Sequence, residues 1–142
     1  LQPKEASKKG SEIRKAYVAA IEGLAELLGA VANKATNGYL LACDGRRVLV
    51  DSPHKGLNYL LQCGAGIVAK RWMVIANNGI HNIHTKQLAF VHDELQYETP
   101  PEDATNLMNL LETAARLSDE YYNLRCPIAA EAKTGMTWAD VH

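Results

Sequence analysis

The chain has 142 residues, 47% of them hydrophobic, and a net charge of −1 at pH 7. That length suits one domain with a real core, which excludes wholesale disorder. The balanced charge excludes a global field toward nucleic acid or anionic lipid, so any such contact must come from local patches.

Cys43, Cys63 and Cys126 lie far apart without paired spacing. They read as reduced thiols of a cytosol and give no Cys-rich zinc motif. No apolar run reaches the roughly 18 residues of a membrane span. The chain opens on Leu1 with no signal-peptide pattern, and is expected to be a piece of something longer.

Residues 1–10, with Lys4, Lys8 and Lys9, read as a flexible polar lead-in. From Ser11 a helical period begins. Ile13, Tyr17, Ile21, Leu24, Leu28 and Val31 fall on one face, which predicts one helix ending near the Asn33–Gly38 cluster. Lys8, Lys9, Arg14 and Lys15 mark its start as basic. Tyr39–Cys43 and Arg46–Val50 flank Asp44-Gly45, the dipeptide of a type I′ hairpin turn with positive φ at both central positions. Arg46 and Arg47 follow that turn and either meet an anion or keep the hairpin end soluble.

Ser52-Pro53 reads as a cap followed by the first helical position. A long helix is expected from about Pro53 to about Asn77. Its apolar side carries Leu57, Leu60, Leu61, Val68, Trp72 and Ile75. His54, Asn58 and Gln62 recur every four residues, which in an α-helix gives one polar stripe. Neutral groups that donate and accept suit base edges or sugars in a groove; a plain polar outer face is the alternative. Gly64 and Gly66 point to close approach of another backbone. His81 and His84 follow in a polar connection and, with His92 and Asp93, raise a zinc reading, against plain exposed loop histidines.

Leu88–Val91 is apolar, Leu95–Thr99 alternates, and His92-Asp93-Glu94 lies between them. Strand, tight turn, strand is the economical reading. It places two adjacent carboxylates and an imidazole at a hairpin tip. Such carboxylates repel, so the pair must face water, a basic residue or a cation. Pro100-Pro101-Glu102-Asp103 then starts a helix with Leu107, Leu110, Leu111, Ala114, Leu117 and Tyr121 on one face. Cys126–Ala132 reads as a last strand, and Lys133–Trp138 as a tail anchored by one aromatic ring. The expected fold is α+β. It has an antiparallel sheet of two hairpins plus a C-terminal strand, packed with three helices of which one is long.

Phe90-Val91-His92-Asp93-Glu94-Leu95-Gln96 resembles motif C of the family A DNA polymerases, the group of bacterial DNA polymerase I and the replicative polymerases of short-tailed phages. Ser52-Pro53-His54, Asn58 and Gln62 resemble that family's long palm helix along the primer–template minor groove. The ending Lys133–His142 looks like the phage-type C-terminus, including its last histidine, and the Asp44-Gly45 hairpin also fits. The resemblance covers nearly the whole chain from about Lys8, so residues 11–142 are expected to be the C-terminal palm portion.

The resemblance implies a DNA-directed DNA polymerase using two magnesium ions in template-directed nucleotidyl transfer. It makes Asp93 a metal ligand, Glu94 a weaker neighbour of the metal site, and His92 a contact to the primer terminus. It makes His54, Asn58 and Gln62 DNA contacts. Repair-type members usually have Arg where His54 stands; phage-type members often have His. The implied partners are primer–template DNA, deoxynucleoside triphosphates, a missing N-terminal portion with motif A, fingers and thumb, and a host processivity factor. No membrane is implied, and the expected place is the cytoplasm, that of a bacterial host if phage-encoded. Alone, the fragment is expected to be inactive. The other readings are a non-catalytic nucleic-acid-binding module on a degenerate palm, and a small hydrolase using His81, His84, His92 and Asp93.

Overall fold

Gly23, at φ 77°, interrupts what the apolar period predicts as one helix. In the computed structural model, which describes residues 2–141, α1 (Pro3–Ala20) and α2 (Leu24–Ala35) meet at a 106° bend. Glycine adopts this left-handed conformation without a Cβ penalty, so the chain turns there although the stripe continues on both sides. The helix also begins at Pro3, so most of the expected lead-in is helical. Pro3 occupies the first turn, and Gln2 and Glu5 form a reciprocal capping box. α1 buries none of its residues; Ile13 and Tyr17 stay 62% and 63% exposed.

The described residues group into two compact units. The first comprises the chain up to Ala42 and Arg46–Leu61; the second comprises Cys43–Gly45 and the chain from Gln62 on. In the first unit, β1 (Tyr39–Leu41) pairs antiparallel with β2 (Arg47–Leu49). The Ala42 amide donates to the Arg46 carbonyl at 3.0 Å, which leaves a three-residue loop, Cys43–Gly45. Of the three, only Gly45 has positive φ, at 83°. The expected two-residue type I′ turn is therefore replaced by the longer loop that carries one left-handed glycine. Arg47 stacks its guanidinium 4.6 Å from the Tyr39 ring centre. The core of this unit is Val31, Ala35, Leu40 and Val50, with Leu57, Tyr59 and Leu60 against it.

α3 (Gly56–Gly79) is the expected long helix, preceded by a 3₁₀ turn at Pro53–Lys55. Gly64 and Gly66 do not serve close approach, since a Cβ on either would meet nothing within 4 Å. Close contacts in α3 fall instead at Gly56, where a Cβ would meet Val31 Cγ1 at 3.1 Å, and at Gly79, where it would meet Leu110 Cδ1 at 2.5 Å. In the second unit, β3 (Lys86–Val91) pairs antiparallel with β4 (Glu94–Glu98), and α4 (Pro101–Tyr122) follows. Its core is Ala76, Leu107, Leu111 and Ala114, with Trp72, Ile75, Ile80, Ile83, Leu95 and Tyr97 packed on it. α4 ends in a Schellman motif: Asn123, at φ 52°, takes the left-handed position, and Leu124 N–H reaches back to Asp119 O at 3.1 Å.

The class is α+β, with two separate two-stranded sheets and five α-helices among the described residues. The expected strand at Cys126–Ala132 is not one. Its backbone donors go to helix side chains: Ile128 N–H to Asp119 Oδ2 at 2.8 Å and Ala132 N–H to Glu112 Oε1 at 3.0 Å. The two carboxylates lie about two turns apart on α4 and supply the acceptors that a strand partner would otherwise give. Trp138, 60% exposed at the start of the short α5 (Trp138–Val141), does not anchor the tail by burial. Asp140 caps that turn by accepting from the Thr137 amide and hydroxyl, which holds its carboxyl below the usual range. No single described helix is long and apolar enough to cross a membrane.

Candidate functional site

The β3–β4 ladder closes on the pair Val91↔Glu94, so the loop has two residues, His92 and Asp93. Glu94, expected at the tip, is the first residue of β4. His92, Asp93 and Glu94 are all exposed. His92 holds φ at 54°, the positive value that a two-residue hairpin turn demands at its first central position. Histidine tolerates that region better than most side chains but still carries strain, on the order of 1 kcal/mol.

Glu94 and Gln96 are two apart on β4 and share a face. Gln96 Nε2 donates to Glu94 Oε1 at 2.9 Å, so a neutral amide orients this carboxylate without cancelling its charge. Gln96 lies inside the motif, and its place two residues from Glu94 on a strand marks it as a neighbour on the same face. Leu95 and Tyr97, on the opposite face, seat the hairpin on the second core. Desolvation there raises the Tyr97 phenol above its ordinary value.

Asp93 and Glu94 offer oxygen donors facing solvent, the donor chemistry of a hard cation such as magnesium. Two carboxylates alone are an incomplete set, and among the described residues no group of three or more His, Cys, Asp or Glu is placed to hold a metal ion. The zinc reading finds no support: the His84 amide and Nδ1 both face Asp103 Oδ2, at 2.9 and 3.2 Å.

His54, Asn58 and Gln62 are all exposed. They do not form one α-helical stripe, because His54 lies on the 3₁₀ turn before α3 begins. Ser52 makes no helix-capping bond; its hydroxyl sits 2.7 Å from His54 Nδ1 and so fixes the ring. Alongside, Asp51 accepts from Tyr59 at 2.9 Å and Lys55 at 3.2 Å, and these bonds hold its carboxyl below the usual range. Asn58 and Gln62 stand one turn apart on α3. His54 and Asn58 belong to the first unit, Gln62 and the hairpin tip to the second. His142 lies outside the described residues.

A His92→Gly variant separates fold from function at the tip. Glycine relieves the positive-φ strain, so the hairpin should gain about half a kcal/mol, read as slower amide exchange in β3 and β4. The same change removes the imidazole and should lower any activity that needs it.

The sequence pattern of DNA polymerase family A matches residues 6–140. A DNA-directed DNA polymerase of Escherichia phage Phieco32 is 30% identical over 142 residues, covering 94% of this chain and 23% of the relative. That of Escherichia phage T7 is 31% identical over 113 residues, covering 73% and 16%. DNA polymerase I of Borreliella burgdorferi is 27% identical over 109 residues, covering 75% and 11%. The chain thus spans less than a quarter of each of these relatives. Among solved structures, the POL domain of Pol1 from M. smegmatis, in complex with DNA primer-template and dNTP, superposes with a TM-score of 0.71 at 22% identity. That match covers 78% of this chain and 22% of the other, and it supports the fold. With nearly its whole length inside the family pattern, this chain belongs to DNA polymerase family A.

Proposed function

We propose that the chain is the C-terminal palm portion of a DNA-directed DNA polymerase and supplies its motif C aspartate, Asp93. The observation that carries this reading is the exposed Asp93 in a strained two-residue hairpin, with Glu94 opening the next strand, inside the family match. Asp93, with Glu94 beside it, would hold magnesium, whose chemistry is to lower the pKa of the primer hydroxyl and to neutralise charge on the leaving pyrophosphate. Gln96 keeps the Glu94 carboxylate aimed, and His92 presents its imidazole from the same turn toward the primer end. Asn58 and Gln62 read the minor groove of the primer–template, where acceptors common to all correct pairs report pair shape without sequence. The relatives are polymerases four or more times the length of this match, so motif A, the fingers and the thumb come from the rest of the protein. The phage relatives favour action in the cytoplasm of a bacterial host.

The test is primer extension by the polymerase that carries this chain, with magnesium and with a chelator in its place. Asn58→Ala and Gln62→Ala should each lower incorporation about tenfold, the cost of roughly one good hydrogen bond. Mismatched primer ends should lose less than matched ones. Equal activity on matched ends in both variants would remove α3 from the DNA contact.

A further inference from the structure

β3 and β4 are paired at two different offsets. At the base, Lys86 faces Glu98 and Gln87 faces Tyr97; toward the tip, Ala89 faces Gln96, Phe90 faces Leu95 and Val91 faces Glu94. Leu88 is therefore an extra residue in β3, a bulge, and its side chain is 58% exposed. A bulge bends its strand and tightens the local twist. It also resets the alternation of faces. Counting upward from Gln87 in a regular strand sends Phe90 outward, whereas the extra residue places Phe90 opposite Leu95, on the side that packs against the core.

Directly beneath the bulge the hairpin is held to α3 by one side chain. Asn77 Nδ2 donates to Gln87 Oε1 at 3.2 Å, and the Tyr97 hydroxyl donates to Asn77 Oδ1 at 3.5 Å. Gln87 and Tyr97 are cross-strand partners, so a single amide grips both strands at the last pair before the register changes. Below Leu88 the hairpin is fixed to α3 through Asn77 and to the core through Tyr97; above it Leu95 still rests on that core. Above it stand three pairs and the loop that carries Asp93. Three residues of strand above Leu88 are a lever of about 10 Å, over which a bend of about 20° moves the tip by roughly 3 Å.

We propose that the Leu88 bulge, braced by Asn77, is the device that sets where the Asp93 carboxylate stands. Leu88 and Asn77 are thus positioning residues for the reaction. The inference rests on the polymerase reading and deepens it. Leu88 is 58% exposed in this chain, so a contact to the second core does not account for the extra residue.

The experiment is deletion of Leu88 in the polymerase that carries this chain. The deletion merges the two offsets into one while keeping every cross-strand pair and the inward facing of Phe90, so the hairpin should still fold. The expected result is a kcat for single-nucleotide incorporation down about 100-fold, the cost of misplacing a reacting group by an ångström or more. The KM for nucleotide and the duplex Kd should stay within about twofold, and the magnesium concentration for half activity should rise. Leu88→Ala keeps the extra residue and should lose at most about threefold. Asn77→Ala should lower kcat about fivefold, again with KM unchanged and the magnesium requirement raised. A deletion variant with kcat within about threefold of the parent overturns the proposal, as does an equal loss in Leu88→Ala. If the deletion variant no longer unfolds cooperatively, Asn77→Ala decides, and an unchanged kcat and magnesium requirement there overturns the proposal. Asp93→Ala runs alongside. Full extension in that variant would sink the polymerase reading itself, whereas its loss beside an active deletion variant would sink only the positioning device.

Discussion

Asp93→Ala should cut primer extension by at least about a thousandfold, about 4 kcal/mol of transition-state stabilisation, while duplex binding stays close to that of the parent. The asymmetry follows from where Asp93 sits. It occupies an exposed two-residue turn, so removing its carboxylate disturbs no core contact and leaves α3 untouched. What it removes is a carboxylate at the place where the proposed divalent cations would be gathered. Glu94→Ala should do less, on the order of tenfold, because Glu94 already opens β4 and is tied along that strand to Gln96. Single-turnover incorporation, compared with duplex binding of the same proteins, measures both terms. Equal losses in the two variants would mean that the pair acts as bulk negative charge rather than as one specific ligand and its neighbour.

Trp72→Ala should destabilise the second unit by about 3 kcal/mol. Trp72 packs on the core built from Ala76, Leu107, Leu111 and Ala114. Its indole N–H donates to the Leu111 carbonyl at 2.8 Å, which ties α3 to α4. Truncating a large aromatic in such a place loses transfer energy and leaves a cavity, commonly 3–5 kcal/mol when burial is complete and somewhat less at a half-buried ring. Trp72→Phe keeps most of the packing and loses the hydrogen bond, so about 1 kcal/mol is expected from that change alone. Urea unfolding followed by amide exchange reads both. A loss confined to residues before Ala42 would contradict the placement of Trp72 in the second core.

The hairpins and the long helix were legible because each has a local cause. Asp44-Gly45 and the polar His92-Asp93 interrupt strand-like runs, and α3 carries its apolar side for more than six turns. The apolar run Leu88–Val91 reads as a strand, and the bulge within it shows only in the cross-strand register. The break at Gly23 was hidden because Ile21 and Leu24 keep the stripe in phase, and one glycine weighs little against a continuing period. Cys126–Ala132 has strand composition without a strand to pair with. The carboxylates that satisfy it lie on α4, at Glu112 and Asp119, where no local pattern marks them as partners. The roles proposed for Asp93, Asn58 and Gln62 toward metal and DNA rest on likeness to the family. Taken alone, an exposed Asp-Glu turn is also what a solvated hairpin tip looks like.

Diffraction from the polymerase that carries this chain, crystallised with primer–template, an unreactive nucleotide and manganese, would locate the cations by their anomalous scattering. An ion about 2.0–2.3 Å from an Asp93 Oδ, shared with a carboxylate from elsewhere in the protein, is the predicted result. Cations bound to the nucleotide with Asp93 turned to solvent several ångströms away would contradict it.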